Sequence, residues 1–564
     1  MRVADPSNKT EIAPVKAVAT IQTDLEMTPL GTRSRLADEL HGVPILRRTV
    51  ERVCAAPGLA GVYVLVAERQ ADRCRALLSG TSAVVQPVNA DPPPWANLIR
   101  ASRKWSLDGW RGGVGGSTVF DEYTDCRLID GLLRHVEADA VLSVPPAAPL
   151  FDSELAGRMI EHRLSNRDEA RLTFTQAVPG IAGIVLDAAL VKELAGASVP
   201  IGWAFSYKPD DPRRDLIFQP ACMEIPALLR FAVGRLIADT DHSEHVLRAL
   251  LEQISSPDLA TIGQWLVDRD ETGVEPFPRE VELELTTEDP FPGALLRPRG
   301  ERLGRRGVMR LEDVRRVAAE LCEHDDALCV LGGFGDPFRH PEFSEVLEIL
   351  RPGSGGGVFG LCVRSSSVDL TPVLAEAIIA HGVDVLSVML DAWTPELYAK
   401  LQVIEDAESC GLEIVRGRIE RLSELQRERK SPRPIVVAEM VKARENVHEL
   451  DAFFDGWTRR AGAVSIVGYS HYAGQMEDRS VIDMRPPVRT PCRRVRTRCT
   501  VLADGRVTMC DQDFRGAYTM GRIGESSLSQ IWRSADYAHV RAAHVAGRYD
   551  ATPLCGACAE WHRP

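Results

Sequence analysis

The sequence has no run of about 18 uninterrupted apolar residues, the length needed to span a membrane as a helix. Residues 1–16 carry scattered charges and no apolar core, so they do not predict a secretory signal. Basic residues are in the minority, with 67 Lys and Arg against 80 Asp and Glu, and the formal net charge is -13. An acidic chain is poorly suited to neutralising phosphates. We therefore expect a cytoplasmic protein that binds neither a membrane nor nucleic acid.

Cysteine is missing from a long central stretch and unevenly distributed elsewhere. None occurs between Cys222 and Cys322. Of the 13 cysteines, eight are spread singly from Cys54 to Cys410 and five crowd into residues 492–558. In a reducing compartment, clustered thiols indicate metal or redox chemistry more often than disulfides. We interpret the isolated cysteines as small buried hydrophobic residues and look for ligands among the clustered ones.

Alternating strand and helix patterns over 564 residues predict an α/β protein of three domains. Residues 1–254 open with a strand, a glycine-containing loop, a helix and a strand, which is typical of a parallel sheet. Residues 255–278 are rich in proline and acidic residues and predict a linker. Residues 279–484 repeat strand and helix units and predict a partial or full β/α barrel. The barrel strands are predicted at 281–285, 328–331, 358–363, 385–390, 435–440 and 464–467. Residues 485–564, rich in Arg and Cys, form the third domain.

Four of the clustered cysteines have the spacing of a metal or cluster site. Asp504-Gly505 is a favoured two-residue hairpin turn, which places Cys510 at the end of a return strand. Cys555 and Cys558 form a CxxC turn, and Cys492 and Cys510 complete a four-thiolate shell. Soft ligands suit zinc or iron-sulfur. Zinc ribbons usually present two CxxC turns and this stretch has one, so iron-sulfur is favoured.

Cys499 is the fifth thiol of this region. It falls on the first strand of the predicted hairpin, where a core hydrophobic residue would serve. We therefore interpret it as a core residue and not as a ligand.

The sequence around these cysteines resembles the SPASM domain, the C-terminal extension of many radical SAM enzymes. The matching runs are Pro491-Cys492, 503–513, Met520-Gly521-Arg522-Ile523, Ile531-Trp532 and 554–561. In that family the cysteines hold an auxiliary 4Fe-4S cluster. The resemblance implies that Cys492, Cys510, Cys555 and Cys558 hold one such cluster here.

The predicted barrel resembles the radical SAM fold. Residues 284–287 are similar to the end of that family's first strand, and residues 387–398 to its fourth strand and the following helix. Residues 332–337 resemble the glycine-rich turn that receives the methionine amino group of SAM. The resemblance implies that Gly332, Gly333, Gly335 and Asp336 line a cofactor site.

The barrel departs from that family where a CxxxCxxC motif would hold the catalytic cluster. Asp289, Gly293 and Leu296 stand at the three cysteine positions. Gly and Leu have no ligating side chain, so we expect no catalytic cluster there and no cleavage of SAM.

The first domain resembles nucleotidyltransferases that load sugars onto CTP or GTP. The similarity lies in Gly31 to Leu36 and in residues 41–46, and it implies that Arg33 and Arg35 contact phosphates. Such enzymes need an acidic residue after a later strand to hold magnesium. Here residues 145–150, PPAAPL, occupy that place. For the loop of residues 112–116, a surface loop is favoured over a phosphate cradle.

The three resemblances together are similar to spiro-SPASM-type proteins. They predict an iron-sulfur protein with one C-terminal 4Fe-4S cluster and a degenerate central site, acting in redox chemistry or recognition within a modification pathway. The alternative is an active radical SAM enzyme or a sugar nucleotidyltransferase acting on a peptide or a sugar. Expected partners are a small-molecule or peptide substrate and a redox protein.

Overall fold

The first domain contains a six-stranded mixed sheet with helices packed around it. The structure, a computed structural model, describes residues 16–89, 91–112 and 116–563. The strand order is β5-β4-β1-β6-β8-β7; the first four strands are parallel and the last two pair antiparallel. A separate two-stranded ribbon is formed by β2 and β3. The elements are β1 Ala17–Thr23, β2 Glu39–Leu40, β3 Val43–Pro44, α1 Ile45–Cys54, β4 Leu59–Ala67, α2 Ala71–Leu77, β5 Val84–Val88, α3 Ala96–Arg103, α4 Cys126–Val136, β6 Ala140–Val144, α5 Ser153–Ser165, β7 Leu172–Thr173, β8 Ile184–Asp187, α6 Ala188–Ala197, α7 Gly202–Phe205, α8 Ala227–Phe231 and α9 Asp241–Gln253.

The prediction of a linker at residues 255–278 is wrong for the first part of that range. Residues Leu259–Thr272 form a helix, α10, and Asp258 before it accepts a hydrogen bond from the Thr261 backbone N–H. Ile262 and Leu266 of this helix are buried in the core of the first domain. The acidic residues occupy its exposed positions, so their abundance reflects one solvated face of a helix and not an extended segment.

The second domain has a sheet of six parallel strands in sequence order, as a partial β/α barrel requires. The predictions of six strand units and of the α/β class are confirmed. The elements are β9 Glu280–Leu283, α11 Leu311–Leu321, β10 Leu328–Leu331, α12 Phe343–Leu350, β11 Gly360–Ser365, α13 Pro372–Ala380, β12 Val385–Met389, α14 Pro395–Gln402, α15 Ala407–Cys410, α16 Leu412–Arg429, β13 Ile435–Lys442, α17 Leu450–Ala461 and β14 Val464–Gly468.

The C-terminal module continues this sheet at its β9 edge. Its elements are α18 Arg494–Thr497, β15 Arg498–Val501, β16 Arg506–Thr508, β17 Thr519–Arg522, α19 Leu528–Trp532, α20 Ala535–Val545 and α21 Pro553–Ala557. Strand β15 pairs in parallel with β9, and β16 and β17 follow antiparallel. Cys499, Val501 and Val507 are buried in the barrel core. The hairpin is therefore packed as part of the barrel, which fixes the cysteine loops relative to it.

The first domain covers the end of the barrel at which the parallel strands begin. Ala101 and Trp105 pack against the apolar residues Val330, Val385 and Val437 of the strands. Lys104 is buried in this contact, where its ammonium donates to the Phe359 carbonyl and lies 3.3 Å from the Asp384 carboxylate.

Among the helices of the described chain, none combines the length and the apolar character that crossing a membrane requires.

Candidate iron-sulfur site and the barrel interior

A hairpin is present around Asp504-Gly505, but its turn is one residue longer than the predicted two-residue turn. The backbone N–H of Leu502 donates to the Arg506 carbonyl at 2.8 Å, which leaves residues 503–505 as the loop. Gly505 has φ +84°, a backbone conformation that side-chain-bearing residues rarely adopt. Cys510 lies two residues after the end of β16.

The four predicted ligands come together in a small core of their own. Cys492 precedes α18, Cys555 lies in α21, and Cys558 caps the end of α21. Cys492, Cys510 and Cys555 are buried in one cluster, and Cys558 is half-buried. The apolar residues that complete this cluster are Val495, Met509, Val540, Leu554 and Trp561.

Burial raises the pKa of each of these thiols. The pKa of Cys510 is raised well above its ordinary value, that of Cys492 is also raised, and those of Cys555 and Cys558 rise to about 12 and about 11. Neighbouring cysteines add to the rise, because a second thiolate nearby would repel the first. A cationic metal centre reverses this balance and deprotonates its thiol ligands. The protein alone therefore keeps four neutral thiols, and the group becomes stable as thiolates only around positive charge.

Hydrogen bonds from outside the thiol group hold the ligand loops in place. The backbone N–H of Cys492 donates to Nδ1 of His544 at 3.2 Å, and Arg489 donates to the Cys555 carbonyl at 2.8 Å. The backbone N–H of Glu560 lies 3.2 Å from the Cys558 sulfur, a contact that favours a thiolate. The first two could not be identified from the sequence, since their partners lie 52 and 66 residues apart along the chain, whereas the third is a local contact between residues two apart.

The thiols are gathered but are not drawn in around a single ion. Within the described residues, no three His, Cys, Asp or Glu side chains converge closely enough to hold one metal ion. A zinc ion would bring the sulfurs to about 2.3 Å from a common centre. A four-iron cluster stands between its thiolates and keeps them farther apart, with four Cys as its usual ligand set. The four thiols supply the donor set that such a cluster uses.

The loop after β9 is packed without any metal ligand. Asp289 is buried and pairs with Arg299 at 2.9 Å, which satisfies its charge within the protein. Leu296 is 3% exposed and belongs to the barrel core. A Cβ on Gly293 would lie 3.2 Å from the Val403 side chain. The three positions that we predicted to match the radical SAM cysteines therefore serve packing and an ion pair.

Two arginines of the same loop extend into the barrel interior. Arg297 pairs with Asp391 and with Glu439, both at 3.0 Å. Arg299 donates to the Gly333 carbonyl at 3.2 Å. Arg364, and to a smaller extent Arg297, lowers the pKa of Glu439 to about 2. The sequence 297–299, RPR, shows these charges, but the carboxylates that pair with Arg297 lie 94 and 142 residues farther along the chain (391 − 297 and 439 − 297).

The predicted cofactor turn lies next to these arginines. The backbone N–H of Gly333 donates to Glu282 at 3.1 Å, and that of Gly332 donates to the Leu283 carbonyl. Gly335 packs so closely that a Cβ would lie 2.1 Å from the Thr286 carbonyl oxygen. The turn therefore brings Gly332, Gly333 and Gly335 together at the ends of β9 and β10, bonded to the protein itself.

Asp336, the fourth predicted residue of that turn, is fully buried. Its carboxylate accepts hydrogen bonds from the Ser365 hydroxyl, from the Ser366 hydroxyl and N–H, and from the Phe338 N–H. These bonds tie the turn to the end of β11. Its carboxylate thus acts as a structural acceptor in this conformation.

The two phosphate candidates of the first domain are both engaged by acids. Arg33 is exposed and pairs with Asp38. Arg35 is buried; it pairs with Asp241, Glu244 and Asp325. The loop of residues 112–116 falls mostly outside the described residues.

Comparison with known proteins identifies the C-terminal module. Residues 492–559 match SPASM, described as an iron-sulfur cluster-binding domain. The C-terminal module is a SPASM domain. All four predicted ligands lie inside the matched range, and the SPASM module follows a partial β/α barrel as predicted.

The relatives and structures that match the chain are distant. An uncharacterised protein of Treponema pallidum (strain Nichols) is 27% identical over 318 residues, which is 53% of this chain and 82% of that protein. BtrN in complex with AdoMet and 2-DOIA is 15% identical with a TM-score of 0.34, covering 50% of this chain and 93% of BtrN.

Two further structures match the chain to a similar degree. Streptococcus suis SuiB bound to S-adenosylmethionine is 11% identical with a TM-score of 0.38, covering 59% of this chain and 86% of SuiB. A cytidylyltransferase from Leptospira borgpetersenii is 13% identical with a TM-score of 0.31, covering 46% and 94%. With TM-scores below 0.5, none of these likenesses supports a functional argument.

Proposed function

We propose that this chain is a SPASM-type iron-sulfur protein that holds one 4Fe-4S cluster through Cys492, Cys510, Cys555 and Cys558. Its barrel does not cleave SAM. The cluster serves electron transfer or recognition within a modification pathway in the cytoplasm, with a small-molecule or peptide substrate and a redox protein as partners.

The observation that carries the proposal is the loop of residues 288–300. Its ligand positions hold an ion-paired Asp289, a Gly293 packed on a neighbouring side chain and a buried Leu296. Arg297 and Arg299 then place two positive charges in the barrel interior. Three thiolates and a cluster would require this loop to unpack, whereas the SPASM thiols already lie together.

The iron content of anaerobically reconstituted protein tests the proposal. We expect about four irons and four acid-labile sulfides per chain, the content of a single cluster. Cys555→Ala removes one of four ligands and should lose most of the iron. Cys499→Ala is the matched control, because Cys499 is a buried cysteine of the same module that packs in the barrel core. It should retain the iron of the wild type.

Two results would contradict the proposal. About eight irons per chain, with two paramagnetic signals of which SAM perturbs one, would indicate a catalytic cluster in the barrel. Colourless protein loaded with zinc would remove the cluster altogether.

The alternative activities have direct assays of their own. SAM cleavage by the reduced protein, detected as release of methionine and 5′-deoxyadenosine, would support an active radical enzyme. Release of pyrophosphate from CTP or GTP with magnesium and sugar phosphates would support a nucleotidyltransferase. We expect neither, since Arg33 and Arg35 are paired with carboxylates and residues 145–150 supply no metal ligand.

A further inference from the structure

A cavity of about 290 Å³ lies in the first domain at the carboxyl ends of its parallel strands. Thr23 ends β1, and Pro145 and Pro146 follow the end of β6; all three line it. Strands β4 and β5 lie on one side of β1, and β6 on the other. The chain therefore reverses its direction of progress between β1 and β6, which is where open α/β sheets bind their ligands.

The walls of this cavity are largely apolar, and their residues are buried. Leu36, Leu65, Trp95, Ile99 and Ile237 line it, and all five are buried. Its volume is at the lower end of the roughly 300–1,000 Å³ typical of small-molecule sites. A ligand of one or two fused rings fits this space, whereas a nucleoside triphosphate with its metal would extend well beyond it.

One buried tyrosine hydroxyl of the cavity lining lacks a partner. Tyr123 lines the cavity and is 5% exposed. Within the described residues its hydroxyl has no hydrogen-bond partner. Buried hydroxyls are normally paired, so a polar group of a ligand in this cavity would supply the partner that the Tyr123 hydroxyl lacks.

Carboxylates outnumber available cations in the cavity lining. Asp24 accepts hydrogen bonds from the N–H of Glu26 and of Met27 and from Gln70, and Asp121 accepts them from Gly202 and Thr118. Neither is ion-paired to any of the described basic groups. The other acids of the lining are Asp91, Glu122, Asp125 and Asp239.

The basic groups of the lining are mostly committed elsewhere. Arg35 pairs with Asp241, Glu244 and Asp325, so its guanidinium is already balanced. Arg100 donates to the Pro29 carbonyl and to the Met27 sulfur, and no carboxylate pairs with it among the described residues. Among the described residues, Arg100 is one cation against three lining carboxylates without an ion pair, Asp24, Asp91 and Asp121. This excess leaves the cavity negative, which repels phosphates and attracts a positive ligand.

We propose that this cavity binds a small ring-bearing amine: a compact organic cation whose ring fills the apolar walls and whose ammonium faces Asp24. Such a ligand uses the apolar volume, the excess carboxylate and the polar contact that Tyr123 lacks. This site is independent of the cluster in the SPASM module.

Calorimetric titration of the full-length protein with three probes tests which ligand charge and which ligand size the cavity accepts. Tryptamine and indole-3-acetate share one ring system and carry opposite charges, and CTP with magnesium represents the nucleotide. We expect tryptamine to bind at least about tenfold tighter than indole-3-acetate, which corresponds to one charge interaction. CTP with magnesium should give no saturable heat.

Variants separate the site from effects on folding. Asp24→Asn should weaken the binding of tryptamine about tenfold. It should also reduce the ratio between the affinities for tryptamine and for indole-3-acetate. Tyr123→Phe should also weaken the binding of tryptamine. Asp38→Asn should leave the affinity for tryptamine unchanged, because the Asp38 carboxylate lies outside the cavity lining. Circular dichroism melting curves confirm that each variant is folded. The proposal is overturned if indole-3-acetate or CTP binds as tightly as tryptamine, if Asp24→Asn has no effect, or if tryptamine gives no saturable heat.

Discussion

The substitution Glu284→Gln tests how the SPASM hairpin is joined to the barrel. Glu284 follows β9 and has no exposed side-chain surface. Its carboxylate accepts hydrogen bonds from Nε of Arg306 at 2.8 Å, from Nη2 of Arg306 at 2.5 Å and from the backbone N–H of Ala503 at 2.9 Å. Arg306 also donates to the Phe514 carbonyl at 3.0 Å. One buried ion pair therefore connects the barrel loop to both sides of the hairpin turn.

The expected loss in the free energy of unfolding follows from the Arg306 charge that remains after the substitution. Glutamine keeps the shape of Glu284 but removes its charge and replaces one acceptor by a donor. Arg306, whose side chain is 3% exposed, would stay charged without a carboxylate. Breaking a buried pair in this way costs about 3–5 kcal/mol. An exposed pair such as Glu312 with Arg316 contributes about 0–1 kcal/mol, so Glu312→Gln is the control.

Urea unfolding followed by far-UV circular dichroism measures the difference. We expect a large drop in the free energy of unfolding for Glu284→Gln and almost none for Glu312→Gln. The double variant Glu284→Gln, Arg306→Met should recover part of the loss, because it no longer leaves a buried charge unpaired. Equal losses for Glu284→Gln and Glu312→Gln would refute the reasoning.

Two further predictions concern the barrel and its contact with the first domain. Leu296→Ala should lower the free energy of unfolding by about 2–5 kcal/mol, because Leu296 is 3% exposed in the barrel core. Val373→Ala is the control, since Val373 is 72% exposed, and equal effects in urea unfolding would contradict the prediction. Burial lowers the pKa of Lys104 to about 8 from 10.5, so the unfolded chain binds this proton more tightly and the free energy of unfolding should rise as the pH increases between these values. Comparing the wild type with Lys104→Met over that window isolates the effect, and identical pH profiles would exclude it.

The barrel and the hairpin were predictable from the sequence because their signals are local. Each barrel strand is a short apolar run, and the turn at Asp504-Gly505 combines a favoured dipeptide with flanking strand patterns. All six predicted strands are present. The spacing of the cysteines and the resemblance predicted that four thiols lie together, namely those of Cys492, Cys510, Cys555 and Cys558. Their burial in one small core explains why the pKa of each thiol is raised.

What could not be predicted depends on contacts between distant parts of the chain. Helix α10 was missed because its exposed face is acidic and its buried face, around Ile262 and Leu266, becomes apolar surface only against the first core. The pairing of β15 with β9 was missed because strand order across a domain boundary has no local signal. The partners of Arg297, Asp391 and Glu439, are likewise separated from it along the chain.

The arginines of the barrel loop explain how residues 288–300 keep their packing through contacts within the protein. Arg297 and Arg299 supply positive charge, and Asp289, Asp391 and Glu439 balance it at 2.9–3.0 Å. Each of these charges is satisfied without a bound group. Introducing cysteines at positions 289, 293 and 296 alone would therefore be insufficient for a cluster, because Arg297 would still hold the loop through Asp391 and Glu439.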